Sequence, residues 1–198
     1  MITIDFETYY ASDYSLTKLT TEEYVRDPRF QVVGVSVKVN NEPAEWFTGD
    51  IEETAEWLAG FDWHNHFVLA HNAIFDAAIL TWVFGQKPKA WLDTLSMARA
   101  VLGTQVGGSL AKLVEYFGLG VKGTEVVDAK GLRREDFGAQ QLAQYGEYCK
   151  NDVELTYKLY HELNPTFPVR EKRLIDITIR MFSDPMLELD TQKLEDHL

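Results

Sequence analysis

The sequence predicts an α/β domain whose sheet is antiparallel in its first half and parallel in its second. The chain opens with two strand-like runs close together, MITIDFET and QVVGVSVKV, the second followed by the turn-forming pair Asn40-Asn41. Two short apolar runs, FVLAH and AWLDT, then alternate with helical patterns, as βαβ crossovers require. Neither repeats nor low-complexity segments interrupt this order.

Each element has a local reason. In MITIDFET, Ile2, Ile4 and Phe6 share one face of a strand and Thr3, Asp5 and Glu7 the other. TTEEYVRDP (20–28) reads as a short capped helix stopped near Pro28. QVVGVSVKV (31–39) is β-branched and strand-like, with EPAEWFTG (42–49) as its hairpin partner. IEETAEWLAGF (51–61) is an amphipathic helix, FVLAH (67–71) a buried strand, and IFDAAILTWVF (74–84) a helix apolar nearly all round, hence buried. AWLDT (90–94) adds a strand before the helical LSMARAVL, and SLAKLVEYFGL (109–119) is a further helix after Gly107-Gly108. The stretch 118–138, rich in glycine and charge, reads as a long loop. A long helix over about 139–163 ends before Pro165 and Pro168. EKRLIDITIRMF (171–182) is a helix, followed by the turn SDP, a strand-like MLELD, and a last helix capped by Asp190. That helix stops in mid-pattern at Leu198, which predicts a piece of a longer chain.

Composition narrows the function. With 45% hydrophobic and 25% charged residues, 198 residues suit one globular domain with an appendage. A net charge of −12 argues against a module that holds nucleic acid by surface charge alone, but not against a nuclease whose site is a metal cluster. No run of about 18 apolar residues predicts a membrane span, and the N-terminus shows no secretion pattern. Cys149 is the single cysteine, which fits a reducing cytoplasm.

The informative residues are carboxylates where apolar side chains belong. Asp5 and Glu7 stand about 7 Å apart on one strand face, where like charges repel unless a cation lies between them. Asp76 shares an i, i+3, i+4, i+7 stripe with Ile79, Leu80 and Val83; a helix-start carboxylate, with Asn72 as cap, is the bland alternative. On the long helix Asp152 falls about 40° from Tyr148 and about 20° from Leu159, inside the apolar stripe that also holds Tyr145 and Cys149. Glu147, Lys150, Asn151, Glu154 and Lys158 occupy the opposite, polar arc. Four inward carboxylates are unstable together without cations, and hard oxygen donors suit Mg²⁺ or Mn²⁺. Two such ions about 4 Å apart are the usual arrangement for in-line displacement at phosphorus. His64, His66 and His71 read as loop and strand-end residues rather than a zinc site, since no cysteine accompanies them and alternation separates them. Among the tryptophans, Trp82 reads as core; Trp46, Trp57, Trp63 and Trp91 fit either core or base stacking.

IDFET, HNAIFD and YCKNDVELTY resemble, in order, the three motifs of the DEDD exonuclease superfamily. The Tyr-to-Asp spacing resembles its tyrosine subclass, and Glu147 stands where the other subclass has histidine. Over essentially 1–198 the chain is similar to the 3′–5′ proofreading domain of family A DNA polymerases, especially phage and bacterial ones. EYVRDPRFQVVGVSV, LDT with SLAKLVEYFGL, and RLIDITIRMFSDPMLELD all resemble segments of that family, and no polymerase motifs follow.

The resemblance implies an RNase H-like fold, with an exonuclease domain at 1–168 and a helical connection toward a polymerase domain at 169–198. It implies two divalent cations, Mg²⁺ or Mn²⁺. Asp5, Glu7 and Asp152 hold one, Asp5 is shared with the second, and Asp76 positions the second through water. Tyr148 orients the attacking water, while Asn72 and the backbone near Thr8 place the last nucleotide. The implied partner is a single-stranded DNA 3′ end, with a polymerase domain in the same or another chain, in a bacterial or phage-infected cytoplasm. An RNA-trimming exonuclease of the RNase D type uses the same motifs. A catalytically silent nucleic-acid-binding scaffold is the reading from another class, opposed by the presence of all five motif residues.

Overall fold

The computed structural model describes residues 1–123 and 129–197. Residues 124–128 of the loop expected over 118–138, and the helix end at Leu198, lie outside the described residues. Strand β1 (Ile2–Thr8) is followed by the short helix α1 (Thr21–Arg26), closed at its start by reciprocal hydrogen bonds between Thr20 and Glu23. Strands β2 (Val32–Val39) and β3 (Glu45–Phe47) form the hairpin, and α2 (Ile51–Ala59) starts from the same kind of cap at Asp50 and Glu53. Strand β4 (Phe67–Ala70) leads into α3 (Ile74–Ala78), whose last turns widen into a π-helix over Ile79–Val83. Strand β5 (Ala90–Asp93) runs directly into α4 (Thr94–Leu102), capped by the Asp93 carboxylate. Helix α5 (Leu110–Phe117), the long α6 (Ala139–Leu163), α7 (Val169–Ser183) and the short α8 (Thr191–Glu195) complete the chain.

The five strands lie in the order β3-β2-β1-β4-β5. β1 pairs antiparallel with β2, and β2 with β3, whereas β1–β4 and β4–β5 are parallel. The mixed α/β architecture expected from the sequence is therefore present, with β1 at its centre.

Alternation along β1 divides the molecule. Ile2, Ile4 and Phe6 are buried in one core with Leu58 of α2, Ala77 and Ala78 of α3, and Tyr14 and Tyr24. The opposite face, carrying Asp5 and Glu7, is crossed by α6, which also packs on β2. A second core joins α4, α5 and the far half of α6 through Met97, Leu113, Val114, Leu155 and Leu159. The Trp46 ring of β3 lies between Gly34 of β2 and Gly146 of α6. A Cβ on Gly34 would lie 2.2 Å from that ring and one on Gly146 2.5 Å, so both glycines are required by the ring between them.

Three expectations are corrected. MLELD forms no strand: Met186, Leu187 and Leu189 are exposed and the segment pairs with no sheet edge, since the alternating pattern alone supplies no partner. Glu154 is not simply solvated, because its Oε1 pairs with the buried Lys38 of β2 at 2.8 Å. Asn72 is not the helix cap. Ala73 precedes α3 with no side-chain capping bond, and Asn72 adopts a left-handed backbone (φ 67°). Of the tryptophans, Trp63 and Trp91 are fully buried, while Trp82 packs half-buried on Phe182 and donates to the Ser183 carbonyl. No described helix is long and apolar enough to cross a membrane.

Candidate active site

A cleft of about 320 Å³ opens over the middle of β1, lined among others by Asp5, Glu7, Asn72, Asp76, Tyr148 and Asp152. Six of the seven residues singled out in the sequence thus meet in one place. The seventh, Thr8, is not among the lining residues: its side chain is buried, and its hydroxyl shares a 2.8 Å hydrogen bond with the Tyr24 hydroxyl.

The local sequence explains each position. β1 presents Asp5 and Glu7 side by side because they are two residues apart on one pleated face. Asp76, 3% exposed, occupies the first turn of α3, and its Oδ1 accepts the Phe6 amide N–H at 3.0 Å, tying α3 to β1. The left-handed turn at Asn72 that delivers α3 is held by the Asn72 N–H donating to the Asp93 carboxylate at 2.8 Å. Asp152, 6% exposed, descends from α6.

Three further residues complete the cluster. Tyr145 donates its hydroxyl to Glu7 Oε2 at 2.7 Å, and Cys149 Sγ donates to Asp5 Oδ2 at 3.3 Å. Lys122 Nζ meets Asp152 Oδ2 at 2.7 Å and lies 5.2 Å from the centre of the Tyr148 ring. Sequence reasoning placed Tyr145 and Cys149 in the inward stripe of α6 but gave them no role. Lys122 belongs to the aperiodic stretch 118–138, where no pattern singles out a residue.

Burial raises all four carboxylates, and repulsion from a neighbouring carboxylate adds to it at Asp5, Glu7 and Asp76. Burial, then the Asp152 charge, pushes Asp5 up to about 7, opposed by the Cys149 hydrogen bond and Lys122. Burial and then Asp5 push Glu7 up to about 8, against the hydrogen bond from Tyr145. Burial and Asp5 raise Asp76 well above the usual range, and burial raises Asp152 despite Lys122. Burial works to lower Lys122, but Asp152 and then Tyr148 outweigh it, so the ammonium is held charged.

The donor set fits a hard divalent cation. Oxygen ligands converge, and Asp152 Oδ1 is buried with no hydrogen-bond partner. Ligand atoms of Asp5 and Glu7 lie within 4.8 Å of each other and of the Cys149 sulfur, a soft, protonated donor that suits such a cation less well, and among the described residues this group includes neither Asp76 nor Asp152. The three histidines do not assemble a comparable group there: His66 bonds the Asp62 carbonyl, and both ring nitrogens of His71 are engaged by Thr94 and the Gly108 carbonyl.

Comparison with known proteins gives the same picture at the level of family and fold. A family model described as 3′–5′ exonuclease, of the DNA polymerase A type, matches residues 21–167. That span includes Asn72, Asp76, Tyr148 and Asp152 and leaves β1 outside. No curated relative matches the sequence. Among solved structures, Brucella melitensis NrnC is similar with a TM-score of 0.65 at 14% identity, over 93% of this chain and 82% of that one. Trypanosoma brucei RNase D in complex with RNA U12 is similar at 0.69 and 16% identity, over 100% and 71%. The family B DNA polymerase of Pyrobaculum calidifontis is similar at 0.58 and 18% identity, over 92% of this chain but 25% of that one. At these identities the likeness shows the RNase H-like fold alone.

Proposed function

We propose, from the premise that this chain belongs to the 3′–5′ exonuclease family of the polymerase A type, that it removes nucleotides from the 3′ end of single-stranded DNA and releases nucleoside 5′-monophosphates. The observation that carries the reading is the convergence of Asp5, Glu7, Asp76 and Asp152, from one strand and two helices, on a single cleft walled by Tyr148. The family implies divalent metal ions. Asp5, Glu7 and Asp152 would hold one Mg²⁺ or Mn²⁺, Asp5 would reach a second, and Asp76 would position the second through water. When bound, such ions lower the pKa of water and offset charge at the reacting phosphorus.

The chain's own groups do the rest. The Tyr148 hydroxyl orients the attacking water for in-line approach. Tyr145 and Cys149 fix Glu7 and Asp5 by donating to one oxygen of each carboxylate, which leaves the other oxygens as ligands. Asn72 and the backbone at Thr8 hold the terminal nucleotide.

The activity serves as proofreading for a polymerase. Residues 1–168 form the exonuclease domain, and 169–198 lead toward a polymerase domain in the same or another chain, in a bacterial or phage-infected cytoplasm. Exposed apolar side chains along that segment, including Leu174, Ile177, Met181, Leu187 and Leu189, support a covered role for it.

The test follows 5′-labelled single-stranded DNA and RNA oligonucleotides with Mg²⁺, Mn²⁺ or EDTA, beside Asp5→Ala as the contamination control. A metal-dependent ladder shortening DNA from its 3′ end, absent in the variant, is the expected result. Faster shortening of RNA than of DNA would transfer the reading to an RNA-trimming enzyme. No shortening of either by folded protein would end the exonuclease reading.

A further inference from the structure

Lys122 is the one lysine or arginine among the described residues that line the cleft. Its segment is laid along α6 by contacts of its own. Gly120 (φ 141°) approaches so closely that an added Cβ would lie 3.2 Å from Leu155 Cδ2. The Asn151 side chain donates to the Val121 carbonyl at 3.4 Å, and Gly123 lies beside the Tyr148 ring.

A plain structural salt bridge would account for the 2.7 Å contact with Asp152 and nothing more. Lys122, however, occupies only Oδ2 of that carboxylate, while Oδ1 is buried and unpartnered. Its ammonium also stands over Tyr148, the residue assigned to the attacking water. Every other charged side chain that lines the cleft is a carboxylate, so an entering phosphodiester meets no other fixed positive charge there. An ammonium has three donors; Asp152 and the Tyr148 hydroxyl engage two, which leaves one for a phosphate oxygen.

We propose that Lys122 is a catalytic residue of this exonuclease, its ammonium contacting a non-bridging oxygen of the scissile phosphate while it stays paired with Asp152. This rests on the exonuclease reading. In the step it assists, the water oxygen–phosphorus bond forms as the phosphorus–3′-oxygen bond breaks. One water proton leaves to solvent, and the departing 3′-oxygen takes one up. The charge that gathers on the non-bridging oxygens in between is what Lys122 stabilises.

The full chain carrying K122M, K122Q or K122R provides two readouts. In Mg²⁺, K122M and K122Q lower kcat by roughly 10²-fold, and K122R recovers most of the loss. The second needs no turnover: fluorescence anisotropy in EDTA with oligonucleotides whose last linkage is either a phosphodiester or an uncharged methylphosphonate. The wild-type chain prefers the charged linkage by about tenfold, K122M and K122Q lose that preference, and K122R keeps it. No preference in the wild type overturns the proposal. So does a substitution that lowers the thermal midpoint yet leaves the preference intact, because that is how a purely structural ion pair behaves. If the wild-type chain shortens neither DNA nor RNA, the exonuclease reading fails, while the linkage preference still reports separately whether Lys122 grips a backbone phosphate.

Discussion

The Tyr145 hydroxyl donates to Glu7 Oε2 across 2.7 Å, joining the second turn of α6 to the central strand inside the cleft. Tyr145 also packs on Phe137 and faces Trp46, so its ring has a structural role apart from its hydroxyl. Tyr145→Phe keeps the ring and removes the donor. The expected outcome is a loss of about 1 kcal/mol in stability and a roughly tenfold weaker response to Mg²⁺, read by chemical denaturation and by titrating activity with metal. Unchanged metal dependence would show that Glu7 is positioned without Tyr145.

Stability without metal should depend on pH in an unusual direction. Asp5 and Glu7 titrate at about 7 and about 8 in the folded chain against ordinary values of 3.8 and 4.5. Between those limits the folded chain binds more protons than the unfolded one, so stability is greatest at the acid end and is lost as pH rises. In EDTA the thermal midpoint is expected to fall from about pH 5.5 to about pH 8.5, and saturating Mg²⁺ should flatten that slope. A midpoint that climbs with pH in EDTA would contradict the assignment.

The clearance around Trp46 sets the distance between α6 and the sheet. Gly146→Ala places a methyl group 2.5 Å from the indole and is expected to destabilise by about 1–3 kcal/mol. Trp46→Phe also removes an indole N–H that is buried without a partner. Combining it with Gly146→Ala should return part of the loss, measured as a double-mutant cycle in urea. Strict additivity would mean that the methyl group is accommodated elsewhere.

Lys38 is buried on β2, with its ammonium shared between Glu154, the Glu42 carbonyl and the Tyr157 ring. Glu154→Ala strands that charge and is expected to cost about 2 kcal/mol, below the range for a fully enclosed pair because Glu154 is partly exposed. Lys38→Met with Glu154→Leu should recover most of it in the same denaturation measurement.

The legible part of this protein was the part that broke a pattern. Asp76 and Asp152 stand in stripes that should be apolar, and Asp5 and Glu7 repeat at the strand period, so the chain declares them wherever they fold. Tyr145 escapes because tyrosine in an apolar stripe looks like any core aromatic until its hydroxyl is seen to reach Glu7. Lys122 escapes because its placement comes from glycine contacts with Leu155 and Tyr148, which no periodicity encodes. Glu154 escapes for a related reason: a helical wheel gives the face a residue points from, but not that Lys38 waits opposite. MLELD shows the converse, a strand pattern with no neighbouring edge to satisfy its backbone.

The central position of β1 has a consequence during synthesis. The strand carrying Asp5 and Glu7 precedes all the others, yet its neighbours β2 and β4 follow it, and Asp152 lies near the middle of a helix that begins at residue 139. A chain still on the ribosome therefore holds two of its four carboxylates with nothing to aim them, and the other two arrive on segments that must dock on opposite sides of that first strand. Nucleolytic power is therefore withheld until α6 has been made and has docked on the first strand.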